Sequence, residues 1–149
     1  MSARVSTILT NGKAVIAALL PTWHELKYVY DVSKNSTRDA RLGYAFIPLD
    51  GVTPDSQVNG SYTMDHRFEV IITDIIVRGK SDSEIQTSIS SLMDTADNIF
   101  KDLVNTKVGA PTIVLNVFSP SISAPEILEA KDLLVIRLQV TIKYRSLLT

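Results

Sequence analysis

Residues 81–104 form the pattern that most restricts how this chain can fold. Ser81 and Glu84 match a capping box, in which each side chain satisfies a free backbone N–H at the start of a helix. Behind them, apolar residues recur at three- and four-residue spacing in one stripe: Ile85, Ile89, Leu92, Met93, Ala96, Ile99, Phe100, Leu103 and Val104. The spacing predicts an amphipathic helix of about 22 residues, whose stripe has to cover a sheet.

The last part of the chain alternates in a way that is typical of a long strand. One set of side chains points to one face: Leu134, Ile136, Leu138, Val140, Ile142 and Tyr144. The other set is Val135, Arg137, Gln139, Thr141, Lys143 and Arg145. This strand therefore has one face on the core and one face that is wet or lies against a neighbouring subunit. We expect residues 122–128 to pair with it as a hairpin.

The other elements follow from weaker patterns. Residues 5–20 have helical spacing and end at Pro21, which cannot continue a helix. Alternation and β-branched content predict strands at 26–32, 43–48, 68–77 and 112–119. The strand at 68–77 is apolar on both faces, which favours a central position, and Pro48 should stop the strand before it.

Two polar stretches separate these elements. Residues 33–41 read as a cationic loop, and residues 49–64 as a long irregular one that is either functional or a disordered excursion. Asn59-Gly60, within the second stretch, is a hairpin signal. Together the patterns predict one domain over residues 1–149 with an α+β (mixed α/β) fold: a single twisted, mostly antiparallel sheet of five or six strands, covered by two main helices.

Composition excludes several functional classes. The chain has 149 residues, 45% of them hydrophobic, with a formal net charge of -1, which fits one globular domain and not a disordered polyelectrolyte. The balanced charge argues against a dedicated nucleic-acid binder, and the absence of cysteine excludes disulfides, thiolate zinc sites and thiol catalysis. With no recognisable targeting signal or membrane-spanning stretch, we expect an intracellular product.

Candidates for chemistry are few. In Asp65-His66-Arg67, adjacent strand residues face opposite ways, so Asp65 and His66 cannot form an orienting pair. His24 and Asp74 fit structural positions better than catalytic ones, and two histidines leave little for a metal centre. No phosphate-cradling, zinc-protease or nucleophile-elbow motif occurs. We expect no cofactor and no enzymatic activity.

The charges divide along the chain. The predicted long helix exposes acidic side chains with one lysine: Asp82, Glu84, Asp94, Asp97, Asp102 and Lys101. Basic side chains lie in the polar loop and the last strand: Lys34, Arg38, Arg41, Arg137, Lys143 and Arg145. These cations can be solvated, can contact phosphates, or can complement the acidic helix of another copy.

The order of elements resembles the tail terminator (tail-completion) proteins of tailed bacteriophages over nearly the whole chain. The resemblance rests on a leading helix, a strand ending in Asp31-Val32-Ser33-Lys34-Asn35, the Gly43-Tyr44-Ala45-Phe46-Ile47-Pro48 strand and the Phe68-Glu69-Val70-Ile71-Ile72-Thr73-Asp74 strand. A long helix and a terminal hairpin ending in Tyr144-Arg145 follow.

The resemblance implies a structural virion protein, assembled in the host cytoplasm, that forms a hexameric ring at the head-proximal end of the tail. The implied partners are other copies of the chain, the tail tube protein, a head–tail connector or neck protein and, in a contractile tail, the sheath protein. Double-stranded DNA would pass through the ring lumen without sequence-specific binding, and no membrane is involved.

Our own inference adds a candidate assembly interface: Lys34, Arg38, Arg41, Asp50, Asp55, Asn59, Arg137, Lys143 and Arg145. Two alternatives stay open. One is a head-completion or neck connector subunit. The other is a small cytoplasmic enzyme or ligand-binding domain, for which a concave pocket with convergent polar groups would be the evidence.

Overall fold

An open, mostly antiparallel sheet organises the computed structural model, which describes residues 3–51, 56–58, 61–76, 81–128 and 132–147. The strands are β1 (His24–Glu25), β2 (Gly43–Gly51), β3 (Ser56–Val58), β4 (Ser61–Ile75), β5 (Val114–Ile122), β6 (Glu126–Leu128) and β7 (Leu133–Leu147). Their order across the sheet is β1-β2-β4-β7-β5, with β3 paired to β4 and β6 paired to β7. Only β1 and β2 run parallel among these pairs.

Two main helices, α1 (Ala3–Leu19) and α3 (Asp82–Thr106), cover one face of this sheet. A short helix, α2 (Thr37–Ala40), and two 3-10 turns, Val32–Lys34 and Lys107–Gly109, complete the fold. The predicted α+β class, with a mostly antiparallel sheet under two helices, is confirmed.

The capping box and the apolar stripe position α3 as the sequence predicts. The Ser81 hydroxyl accepts from the Glu84 N–H at 3.3 Å, and the Glu84 carboxylate accepts from the Ser81 N–H at 3.2 Å. Four side chains of the stripe are buried against the sheet: Leu92, Ala96, Ile99 and Leu103.

The pairing of β4 with β7 forms the centre of the sheet. It extends without interruption from Ser61 opposite Leu147 to Ile75 opposite Leu133. The even-numbered residues 134–144 of β7 all join the core under the helices, as the alternation predicts. The opposite face of the sheet, which we call the open face, has its own smaller core: Leu26, Val32, Ala40, Ala45, Ile47, Ile71, Leu133 and Val135.

Gly12 explains how α1 approaches the sheet. A Cβ added there would lie 2.8 Å from Phe46 Cδ2, closer than real Cβ atoms come, and 3.0 Å from Val108 Cγ1, which is tighter than most such contacts. Glycine in a helix costs about 1 kcal/mol relative to alanine. Here the absence of a side chain at Gly12 allows the helix backbone to pack directly against the Phe46 ring.

The strand predicted at 26–32 is wrong. Beyond β1 the chain leaves the sheet and forms a loop, in which Leu26 and Val32 are buried and Tyr28 and Tyr30 are exposed. The Asn35 side chain supplies the hydrogen bonds that a neighbouring strand would otherwise provide, so the alternation there reflects burial at the two ends of a loop.

The boundaries around Pro48 also differ from the prediction. β2 continues through Pro48 to Gly51, and β4 begins at Ser61, so residues 49–64 are not one irregular stretch. Pro48 is tolerated because β1 pairs with β2 only at Gly43 and Tyr44, so among the described strands Pro48 has a single neighbour, β4. Val58 pairs with Ser61, as the hairpin signal predicts, while Asn59-Gly60 lies outside the described residues.

The outer strand β5 is irregular. Its register against β7 shifts between Val114 and Asn116 and again between Phe118 and Ser121. Ser119 has a left-handed φ of 54°, and Pro120 follows it without an N–H to donate. The two edges of the sheet are therefore interrupted, one by Pro48 and the other by these shifts.

Candidate assembly surfaces

The predicted interface residues fall into separate places. Arg38 in α2 and its neighbours Lys34 and Arg41 are exposed at the margin of the open face. Arg137, Lys143 and Arg145 lie along β7 on the open face itself. Asp50 is exposed near the end of β2, and Asp55 and Asn59 lie outside the described residues.

Arg137 is neutralised within the chain. Its Nη1 donates to Glu69 Oε1 at 3.0 Å, and its Nε lies 3.9 Å from Glu126 Oε1. The Glu69 side chain is only 6% exposed and also accepts from Gln139 Nε2 at 3.1 Å. A nearly buried carboxylate with two donors stabilises the sheet only while both donors are present, so Arg137 has a clear structural role.

Lys143 and Asp50 also have partners of opposite charge within the chain. Lys143 Nζ lies 3.9 Å from Asp65 Oδ1 across the β4–β7 pair. Asp50 accepts twice from Arg67, at 2.8 Å from Nε and 2.9 Å from Nη2. This fork lowers the pKa of the Asp50 carboxyl. Two of the three cations expected on this strand face, Arg137 and Lys143, thus have carboxylate partners within the chain, while Arg145 is exposed. The place of this face in an interface stays a prediction.

A loop next to the open face is held in one shape by Asn35, which is 4% exposed. The Asn35 Oδ1 accepts from the N–H groups of Lys27 and Tyr28, at 3.1 and 3.0 Å. Its Nδ2 donates to the carbonyls of Tyr28 and Val32, at 2.8 and 2.9 Å. We call residues 27–35 the tyrosine loop.

The tyrosine loop presents aromatic side chains to solvent. Tyr30 is 86% exposed and Tyr28 is 41% exposed, which makes Tyr30 the most exposed of the large apolar side chains in the described part of the chain. The Lys27 ammonium lies 5.6 Å from the centre of the Tyr28 ring. A surface cavity of about 300 Å³ is lined by Lys27, Tyr28, Val29, Tyr30, Asp31 and Lys34.

The solvent side of α3 is acidic. Four exposed carboxylates, Asp82, Glu84, Asp94 and Asp97, form what we call the acidic helix face. The Asp97 carboxylate holds Lys101 Nζ at 2.9 Å, which raises the pKa of Lys101. Within the described ranges, Asp82 and Asp94 take part in no ion pair.

His66 lies on the helix-covered side of β4, away from Asp65. Its ring packs at 4.7 Å from the Phe68 ring and 6.3 Å from the Tyr144 ring, measured between centroids. Burial lowers the pKa of His66, and the Leu49 backbone and the Asp50 carboxylate partly oppose this shift. Asp65 points toward Lys143 on the open face, so the two neighbours form no acid–base pair, as the sequence predicts.

No group of three or more His, Cys, Asp or Glu side chains in the described part of the chain is placed to hold a metal ion. None of the helices there is long and apolar enough to cross a membrane.

The sequence missed the residues that shape the tyrosine loop. Nothing in the spacing of Asn35 indicates that it bonds to backbone seven and eight residues away. One signal was present: Ser36 and Asp39 match the start of a helix, and the Ser36 hydroxyl accepts from the Asp39 N–H at 3.2 Å. That signal marks the start of α2. The prediction of a plain loop at 33–41 is therefore wrong in part, because these residues contain the end of a 3-10 turn and the whole of α2.

Comparison with known proteins gives no relative: no protein-family model matches the chain, and no curated protein sequence matches it.

Proposed function

We propose that this chain is a ring-forming structural subunit that caps the completed tail tube of a tailed bacteriophage. In this role it ends tube polymerisation and offers its other side to the head connector or neck. Six copies would close the ring through contacts between different surfaces of neighbouring copies. The mechanism needs no covalent chemistry, because a ring that matches the tube on one side only is enough to stop growth.

The observation that supports this proposal is the fold. The resemblance to tail terminator proteins implies a small α/β domain with a twisted sheet covered by helices. The chain has that architecture, and in chain order the long capped helix α3 follows the central strand β4 and precedes the strands β5–β7. The described surface adds exposed tyrosines beside the open face and exposed carboxylates on α3 over the other face, which suits a subunit whose partners are proteins.

The test is tail length. Purified full-length chain added to polymerising tail tube protein should shorten the tubes seen by electron microscopy, in proportion to the amount added. Particles assembled without the chain should have overlong or headless tails. Tubes of unchanged length at every amount of added chain would refute the capping function.

The same measurement separates the neck connector alternative. A connector subunit leaves tail length unchanged and prevents only the joining of heads to tails. Tails of normal length that fail to join heads, when the chain is missing, would therefore assign the chain to the neck.

A further inference from the structure

We propose that copies of this chain associate through the tyrosine loop of one copy and the acidic helix face of the next. The inference rests on the proposed function for the size of the ring, but the contact itself is argued from the surfaces of the single chain.

The first argument is that the tyrosine loop has the properties of a binding surface. Tyrosine is enriched among the residues that contribute most to protein interfaces, because its large amphipathic ring loses little conformational entropy on burial. Tyr30 projects almost entirely into solvent, and the cavity beside it leaves room for a partner side chain. The Asn35 hydrogen bonds fix the loop before binding, which lowers the entropic cost of association.

The second argument is charge complementarity. The tyrosine loop together with the adjoining residues 36–41, which include α2, contains four basic and two acidic side chains, a net charge of +2. Lys27, Lys34, Arg38 and Arg41 are exposed and form no ion pair within the part of the chain that the structure describes. The acidic helix face with Lys101 has a net charge of −3. By contrast, the cations Arg137 and Lys143 of β7 already have carboxylate partners in their own chain.

The third argument is the placement of the two surfaces. The tyrosine loop adjoins the core of the open face, whereas α3 covers the opposite face of the same sheet. One copy can therefore offer its loop to one neighbour and its helix to another at the same time. Contacts of this kind run head to tail, and they form a ring when the rotation between copies closes.

The experiment uses two charge-reversed variants of the full chain and measures their assembly by native mass spectrometry and sedimentation. Lys27→Glu/Lys34→Glu makes the loop acidic, and Asp94→Lys/Asp97→Lys makes the helix face basic. Each variant alone faces like charges, so its dissociation constant should rise about tenfold to a hundredfold. Tyr30→Ala should weaken assembly about thirtyfold without changing its salt dependence.

Mixing the two variants gives the decisive result. The acidic loop of the first then meets the basic helix of the second, and the basic loop of the second meets the acidic helix of the first. Assembly should return with equal numbers of the two variants, three of each in a ring of six. A mixture that stays dissociated, or variants that assemble alone as well as the wild type, would overturn the proposal.

Lys107→Glu is the matched control, because it reverses an exposed charge just beyond the end of α3, outside both surfaces. It should leave assembly unchanged, and an effect confined to this variant would place the contact at the end of α3 instead. A wild-type chain that stays monomeric at its highest soluble concentration would also overturn the proposed contact. The tube-length assay would still decide the capping function independently, since a cap can form on the tube from single copies.

Discussion

Replacing Asn35 with alanine removes four hydrogen bonds at once and should loosen the tyrosine loop. The side chain is buried and joins two backbone N–H groups and two carbonyls over 2.8–3.1 Å. A typical net contribution is about 1 kcal/mol per hydrogen bond. Some of the freed groups lie near the surface and regain water, so we expect Asn35→Ala to lower the free energy of unfolding by about 2–4 kcal/mol.

Urea denaturation followed by circular dichroism measures this loss, and hydrogen exchange locates it. The amides of Lys27 and Tyr28 should be protected in the wild type and should exchange freely in the variant, because Asn35 is their acceptor. Asn35→Asp has the same shape but cannot donate to the two carbonyls. It should therefore be destabilised as well, which separates lost hydrogen bonding from lost packing.

Asn98→Ala is the control, since Asn98 is exposed on α3. It should change stability by no more than about 0.5 kcal/mol, in the stabilising direction because alanine is the better helix former. If Asn35→Ala behaved like this control, and if the two amides exchanged freely in the wild type, the account of the loop would be refuted.

Gly12, Arg137 and His66 each give a further measurable prediction. Gly12→Ala should lower the free energy of unfolding by about 1–3 kcal/mol because its methyl group overlaps the Phe46 ring. A higher free energy of unfolding in urea, as expected at a solvent-exposed helix position, would contradict this packing. Arg137→Ala should cost about 2 kcal/mol by leaving the Glu69 carboxylate buried with a single neutral donor, and adding Glu69→Gln should recover part of that loss; a double variant no more stable than the single one would count against it. Burial lowers the pKa of His66 below its ordinary 6.5, so its contribution to stability should be complete above pH 6.5. Stability should fall as the pH drops below this value, because the unfolded chain takes up the proton before the folded chain does. His66→Phe should remove this pH dependence, and an unchanged dependence would rule out His66 as its source.

The long elements were predictable because their periodicity is repeated many times. The stripe of α3 and the alternation of β7 each extend over a dozen residues or more, so one discordant residue does not change the interpretation. The two-sided apolar pattern of β4 likewise predicted its central place.

The tyrosine loop was not predictable in the same way. Leu26, Tyr28, Tyr30 and Val32 alternate like a strand, but only the first and last are buried. Their arrangement depends on one distant amide side chain, and no local pattern encodes such a contact. The ion pairs show the same limit, because Arg137 and Glu69 meet across two strands from positions 68 residues apart. The sequence gives the net charge of the chain, whereas the register of β4 and β7 decides which charged side chains neutralise each other.

The interrupted edges of the sheet affect how concentrated protein should behave. Pro48 in β2 and the register shifts around Ser119 in β5 deny an incoming strand a continuous row of backbone donors and acceptors. Cross-β fibres grow by that route, and such growth has no natural end point. A ring closed by contacts between side chains, by comparison, has a fixed number of copies. Copies of this chain should therefore not join edge to edge into such fibres at high concentration, and an amyloid-binding dye should stay dark in their presence.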